Sequence, residues 1–227
     1  MAGEDPAQRS GGTLRRAGGR AALSGVLAMT LAVILAPGVA SAHKVTSGKS
    51  VTLQTGTLTL RFTAAAFAAL TKDTTGTFAD TRTVTPITPG VAGSSGVFSF
   101  PLTSGKLNVG KLTGKAASKG GLNFEHTSTL PLLGSSTTQF ALTSFALHFG
   151  GALAALSGTF VGSSTSPNQP LAALSTGHAR HSLHRRAVSI SGISLKLTSA
   201  GVAVLNGDDN VFKVGQVIGS ASISATT

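Results

Sequence analysis

The stretch "TQFALTSFALHF", residues 138 to 149, sets Phe140 and Leu142 on one parity and Phe145, Leu147 and Phe149 on the other, with Thr143-Ser144 between them. Side chains alternate faces along a strand, so a regular strand would leave one of these apolar sets in water. A slip of one residue returns both sets to a common core, through a β-bulge or a strand that crosses between sheets. The switch recurs twice. Val51 and Leu53 give way to Leu58, Leu60 and Phe62 across Thr55-Gly56-Thr57, and Val188 and Ile190 give way to Ile193, Leu195 and Leu197 across Ser191-Gly192. The shorter runs "FSFPL" at 98 to 102 and "GLNFEH" at 121 to 126 keep a single parity. Thr, Ser, Val, Leu and Phe alternate almost throughout, so we expect an all-β, antiparallel, sandwich-like domain.

One or two short helices are expected as well. "LTLRFTAAAFAAL" at 58 to 70 aligns with "ISLKLTSAGVAVL" at 193 to 205 in its apolar, basic, threonine and alanine positions. Thr63 and Thr198 stand where an N-cap would open a short helix after each strand. The pattern is a pseudo-repeat of strand and helical turn near both ends of the domain. Residues 72 to 95 and 162 to 170, rich in Thr, Ser, Gly and Pro, read as connections.

Residues 1–42 read as a signal peptide. Arg15, Arg16 and Arg20 precede the apolar run "AALSGVLAMTLAVILA" at 21 to 36, and Pro37 and Ala40-Ser41-Ala42 follow it. The run falls short of the roughly 20 residues that span a bilayer. Cleavage leaves 43–227 as a single β-rich domain beginning at His43, without a transmembrane span, in the cell envelope or outside the cell. Arg15-Arg16 also fits twin-arginine export, and an uncleaved leader would act as an anchor. The domain keeps 14 basic and five acidic residues, a net charge of +9. Outside a cell that charge suits anionic envelope polymers or another envelope protein. The chain has no Cys, Trp or Tyr and 11 Phe, so it lacks disulfides, thiolate ligands and amphipathic aromatic platforms. No nucleic-acid partner is expected.

The five acids are Asp73, Asp80, Glu125, Asp208 and Asp209. Glu125 and His126 are adjacent in a strand and face opposite sides, and "GDDN" at 207 to 210 reads as a turn. The chain carries no hydrolase elbow, zinc-protease helix motif or phosphate loop, and a non-enzymatic role is expected. Lys111, Lys115 and Lys119 share one strand parity and would present a basic solvent face for anion or surface contact. In "GHARHSLHRR", 177 to 186, a hairpin centred on His181 would set His178 opposite His184. Their Cβ atoms would then be about 5 Å apart, within reach of a shared divalent ion, although the neighbouring arginines oppose it.

"FSFPLTSGKLNVGKLTGKAASKGGLNFEHTSTLPL", 98 to 132, followed by the strand pair at 138 to 149, resembles the middle of the HtaA-type domain of secreted and cell-wall bacterial proteins. The shared features are an apolar strand ending in Pro, a strand ending in Gly, and Gly-Gly-Leu opening the next. The resemblance covers residues 50 to 205 and implies a β-rich fold. It also implies haem capture through a tyrosinate on the iron and a supporting histidine. This chain has no Tyr, and Ser118-Lys119 stands where the family tends to place a His before Gly-Gly. A haem ligand would have to be His126 or His148, and the residues by themselves lead us to expect no cofactor. The leading expectation is an exported envelope binding or structural module for envelope polymers, a protein or a planar apolar ligand. A histidine-ligated haem protein is the alternative, and an envelope hydrolase without a motif is a third.

Overall fold

The switching segment at 138 to 149 lies in the longest strand of the fold, β8 (Gly134–Phe149), and its two halves do different work. The other strands are β1 (Ser50–Leu53), β2 (Thr55–Phe62), β3 (Ala79–Ile87), β4 (Val91–Ala92), β5 (Val97–Asn108), β6 (Thr113–Ser118) and β7 (Gly121–Leu130). After β8 come β9 (Ala155–Val161), β10 (Thr165–Ser175), β11 (Arg180–His184), β12 (Ala187–Leu197) and β13 (Val217–Thr226). Two helices, α1 (Ala64–Thr71) and α2 (Ser199–Asn206), complete the set. The computed structural model describes residues 48, 50–73, 79–130, 134–152, 154–206 and 211–227. The expected leader with its cleavage site, and the turn at 207–210, lie outside the described residues.

The fold is all-β and antiparallel, as expected, and its layers are closed into one barrel. Strands β5, β2, β13, β12, β10, β9, β8 and β6 pair in that order, and β6 returns to β5. The second half of β8 belongs to this ring, with Ala146–His148 paired to β6 on one side and β9 on the other. The first half leaves it. There β7 takes over the edge of β8, from Gly121 opposite Thr143 to Leu130 opposite Gly134, and β3 pairs with the far edge of β7. The junction between β6 and β7 is Gly120, at φ +95°, where a Cβ would lie 2.8 Å from the Ile87 carbonyl oxygen.

Each expected face switch has a local cause. In β8, Ser144 adopts φ +54°, the register against β9 shifts between Thr143 and Ala146, and Leu142, Phe145 and Leu147 are all buried. In β12, Gly192 at φ +73° marks the shift against β13 between Ile190 and Ile193. Between β1 and β2 the chain breaks at Gln54, whose N–H donates to Thr226 O at 2.9 Å, and Leu53 and Leu58 both turn inward. These bulges let long strands curl around one core. Its centre is Phe100 against Phe145, ring centroids 5.2 Å apart, with Leu58, Leu147, Ile190 and Ile223 fully buried around them.

The pseudo-repeat takes the expected form. Thr63 Oγ1 accepts from Ala66 N at 3.1 Å, and Thr198 Oγ1 accepts from Gly201 N at 3.0 Å. Each threonine therefore satisfies one of the orphan donors of an eight-residue helix.

Both segments read as connections contain strand: β10 begins at Thr165 within 162 to 170, and 72 to 95 holds β4 as well as β3. Within 72 to 95 runs β3, an edge strand whose outward positions Thr81, Thr83 and Thr85 are all exposed. Pro86 is tolerated there because β3 hydrogen-bonds to β7 alone. Within 177 to 186 runs β11, and the hairpin is centred on Arg185-Arg186 instead of His181. His181 therefore pairs with Ile190 and His184 with Ala187, while His178 precedes the strand. The predicted juxtaposition of His178 and His184 does not occur. The physical reason is a turn at Thr176–Ala179, closed by Ala179 N donating to Thr176 O, which delays the start of β11. The lysine row is corrected too: only Lys115 lies in β6, with Lys111 in the preceding turn and Lys119 after the strand, though all three are exposed.

Candidate functional site

Beyond the barrel, β3, β7 and the first half of β8 form a three-stranded extension, and its register sorts one face by polarity. Leu122 stands opposite Leu142 next to the barrel. The next row is Val84, Phe124 and Phe140, the next Arg82, His126 and Thr138, and the outermost Asp80, Ser128 and Ser136. Apolar side chains thus face the barrel end and polar ones the rim. The other face is a solvated array of Thr, Ser and Gln, with Thr127 bonded to Thr137 at 3.0 Å and Thr129 to Ser135 at 3.1 Å.

The graded face forms one wall of a cavity of about 500 Å³. Facing it are Ala69 and Leu70 of α1, Ala203, Val204 and Leu205 of α2, and Phe212. Phe124 and Phe140 stack with centroids 4.7 Å apart and planes 6° from parallel, and Phe140 continues to Phe160 at 5.7 Å. Three rings from three neighbouring strands give the cavity an apolar side. A second, smaller space of about 30 Å³ is lined in part by Phe124, Leu142, Phe145 and Leu205 and has an apolar surface.

The helices can approach because their contact residues are small. Gly201 of α2 sits against β10 so closely that a Cβ would fall 2.0 Å from Leu171 O, and Ala66, its counterpart in α1, is buried. At the end of α2 the buried Asn206 side chain donates to Phe212 O at 3.0 Å and accepts from Phe212 N at 2.7 Å. This pairing fixes Phe212 against the cavity, and nothing in the sequence pattern had singled out Asn206.

Of the two candidate haem ligands, His126 borders the cavity and His148 does not. His126 Nε2 lies 3.5 Å from Asp80 Oδ1 and 3.3 Å from Ser128 Oγ, with the side chain 38% exposed. A carboxylate on one ring nitrogen orients an imidazole and leaves the other, Nδ1, as the coordinating atom. Glu125 turns to the opposite face, as expected, and accepts from Gln139 Nε2 at 2.7 Å. His148 sits on the outer barrel wall with Nε2 3.1 Å from Ser157 Oγ. Burial, and to a lesser degree the charge of Lys115, holds its pKa below the ordinary imidazole value. Among the described residues no three His, Asp or Glu side chains converge on a metal position. No described helix is long and apolar enough to cross a membrane.

No protein-family model and no curated relative matches the sequence. Solved structures do match its fold. The heme binding protein HtaB from Corynebacterium glutamicum superposes with a TM-score of 0.56 at 13% identity, covering 78% of this chain and 96% of that one. The C-terminal domain of HtaA from the same organism gives 0.53 at 16% identity, over 77% of this chain and 98% of that domain. The N-terminal domain of HtaA gives 0.50 at 14% identity, over 78% and 98%. At these identities the likeness is one of architecture, and it agrees with the resemblance carried by residues 98 to 149: the chain has the HtaA-type fold.

Proposed function

We propose that this protein is a non-catalytic binding module of the cell envelope or exterior, and that its cavity takes a planar, largely apolar ligand with a polar edge. The graded wall carries the reading. A flat ligand can lie against Phe124, Phe140 and Phe160 while its polar edge reaches Arg82, His126 and the rim hydroxyls. A volume of about 500 Å³ lies within the range of small-molecule sites, roughly 300–1,000 Å³. The leader-like first 42 residues support the location.

Titration with metal-free protoporphyrin tests the cavity. We expect a saturable one-to-one complex that is lost in Ala203→Phe, where a bulky ring fills the cavity from the exposed side of α2 while circular dichroism stays β-rich. Binding that survives Ala203→Phe unchanged refutes the assignment.

A second reading, haem itself, is favoured by the Asp80–His126 pair and by the fold shared with a heme binding protein. The residues fit such a group: the aromatic wall would hold the macrocycle, Arg82 would meet a propionate, and His126 Nδ1 would be the iron ligand. The group would supply an iron centre that tyrosinate cannot reach in a chain without Tyr. Haem bound by the parent should show a histidine-ligated Soret band that shifts or broadens in His126→Ala. An identical spectrum in the variant rules out His126.

A further inference from the structure

Three strands of the barrel bring two lysines and a histidine into a single row. Lys106 of β5 is the direct Cα partner of Lys115 of β6, and Lys115 is the direct partner of His148 of β8. Lys106 and Lys115 are exposed, and His148 is half-buried. Directly opposed strand residues hold their Cβ atoms about 4.5–5.5 Å apart, and like charges so placed destabilise a sheet. Neither β1, β5, β6, β8 nor β9 contains an Asp or Glu to compensate. The acids among the described residues, Asp73, Asp80 and Glu125, follow α1 or lie in β3 and β7.

We propose that this row, Lys106–Lys115–His148, is a second binding site for a linear anionic polymer. The site is independent of the cavity and its ligand. Two lysines on an open barrel wall give a single small anion only weak, solvent-screened contacts, whereas a chain of linked anions engages both at once and gains from their proximity. It also relieves the Lys106–Lys115 repulsion. His148 joins the row as a sensor. The groups facing it are Lys115 on the β6 side, and on the β9 side Ala155 and Ser157, which carry no charge. A polyanion laid along the row opposes the effect of Lys115 and favours imidazolium, so binding raises the pKa of His148 and strengthens as the pH falls.

Linear inorganic polyphosphate serves as the probe, titrated calorimetrically into the full chain at low salt. We expect saturable binding that weakens at least about tenfold in Lys106→Gln/Lys115→Gln and less than about twofold in Arg185→Gln/Arg186→Gln, which removes the same charge elsewhere. Orthophosphate should bind far more weakly than the polymer. Proton NMR of the parent should show one histidine, absent from His148→Gln, whose pKa rises on adding polyphosphate. Equal weakening in the two double variants would mean that net charge alone drives the association, and would overturn the site. An unmoved His148 pKa, or orthophosphate binding as tight as the polymer's, would overturn it as well. Lys115→Gln alone, expected to weaken binding about threefold, serves where the double variant does not fold.

Discussion

His148 and Asn206 show two ways in which a polar side chain constrains this fold. The His148 imidazole is held below its ordinary pKa chiefly by burial, so the folded state binds protons less readily than the unfolded chain. The stability that neutral His148 contributes is present above its unfolded pKa, about 6.5, and is lost as the pH falls through the lowered folded value. Thermal melts between pH 7.5 and 5 should therefore show the parent losing more stability than His148→Gln; parallel losses would contradict this. Asn206 acts through hydrogen bonding. Asn206→Ala leaves the Phe212 N–H and C=O without their partner in a buried setting, which costs about 1–3 kcal/mol in denaturant unfolding. An unchanged midpoint would show that other groups replace it. His126 was legible in the sequence because it shares the parity of Leu122 and Phe124. Asn206 was not, because its partner lies across residues 207–210 and no periodicity announces such a pairing.

Helix α2 is the element whose sequence looks least suited to its state, with Gly201 inside a single eight-residue helix. Contact with β10 explains it: a side chain at 201 has no room beside Leu171 O. Gly201→Ala gains about 1 kcal/mol of helix propensity, but the displacement of α2 it forces costs about 1–3 kcal/mol, so the net effect should be destabilising. Equilibrium unfolding decides it, and a stabilised variant would mean that α2 sits less tightly on β10 than described. Both helices were readable, because a threonine cap after an alternating strand is a local signal. The face switches of β8 and β12 were readable for the same reason. Strand β3 was hidden because only one of its faces is covered, which left Thr and Pro to dominate its composition. The β11–β12 turn was misplaced by four to five residues, since Arg185 adopts φ +54° without the Gly or Asn that usually signals such a turn.

At the largest scale the described residues combine a barrel closed by eight strands with an extension that stands on the longest of them. Closure was not visible in the sequence, because which edges meet is decided by strands as distant as β2 and β13. The cavity was invisible for the same reason: its walls come from α1, β3, β7, β8, β9 and α2, and each contributes from one to four residues with an ordinary local role. Export belongs to this scale too. The protein recovered from culture fluid or envelope should begin at His43 by intact mass, and a cytoplasmic product retaining Met1 would remove the case for envelope partners. The claim that organises the rest is that a planar ligand enters the cavity and is not merely gathered by positive charge. The most direct test is backbone NMR of the labelled protein during addition of metal-free protoporphyrin. The account predicts saturating shifts at Arg82, Phe124–His126, Thr138–Phe140, Ala203–Leu205 and Phe212, with the barrel wall around Lys106 and Lys115 unmoved. Shifts confined to that basic wall or to the Arg185-Arg186 hairpin, with the cavity residues silent, would contradict it.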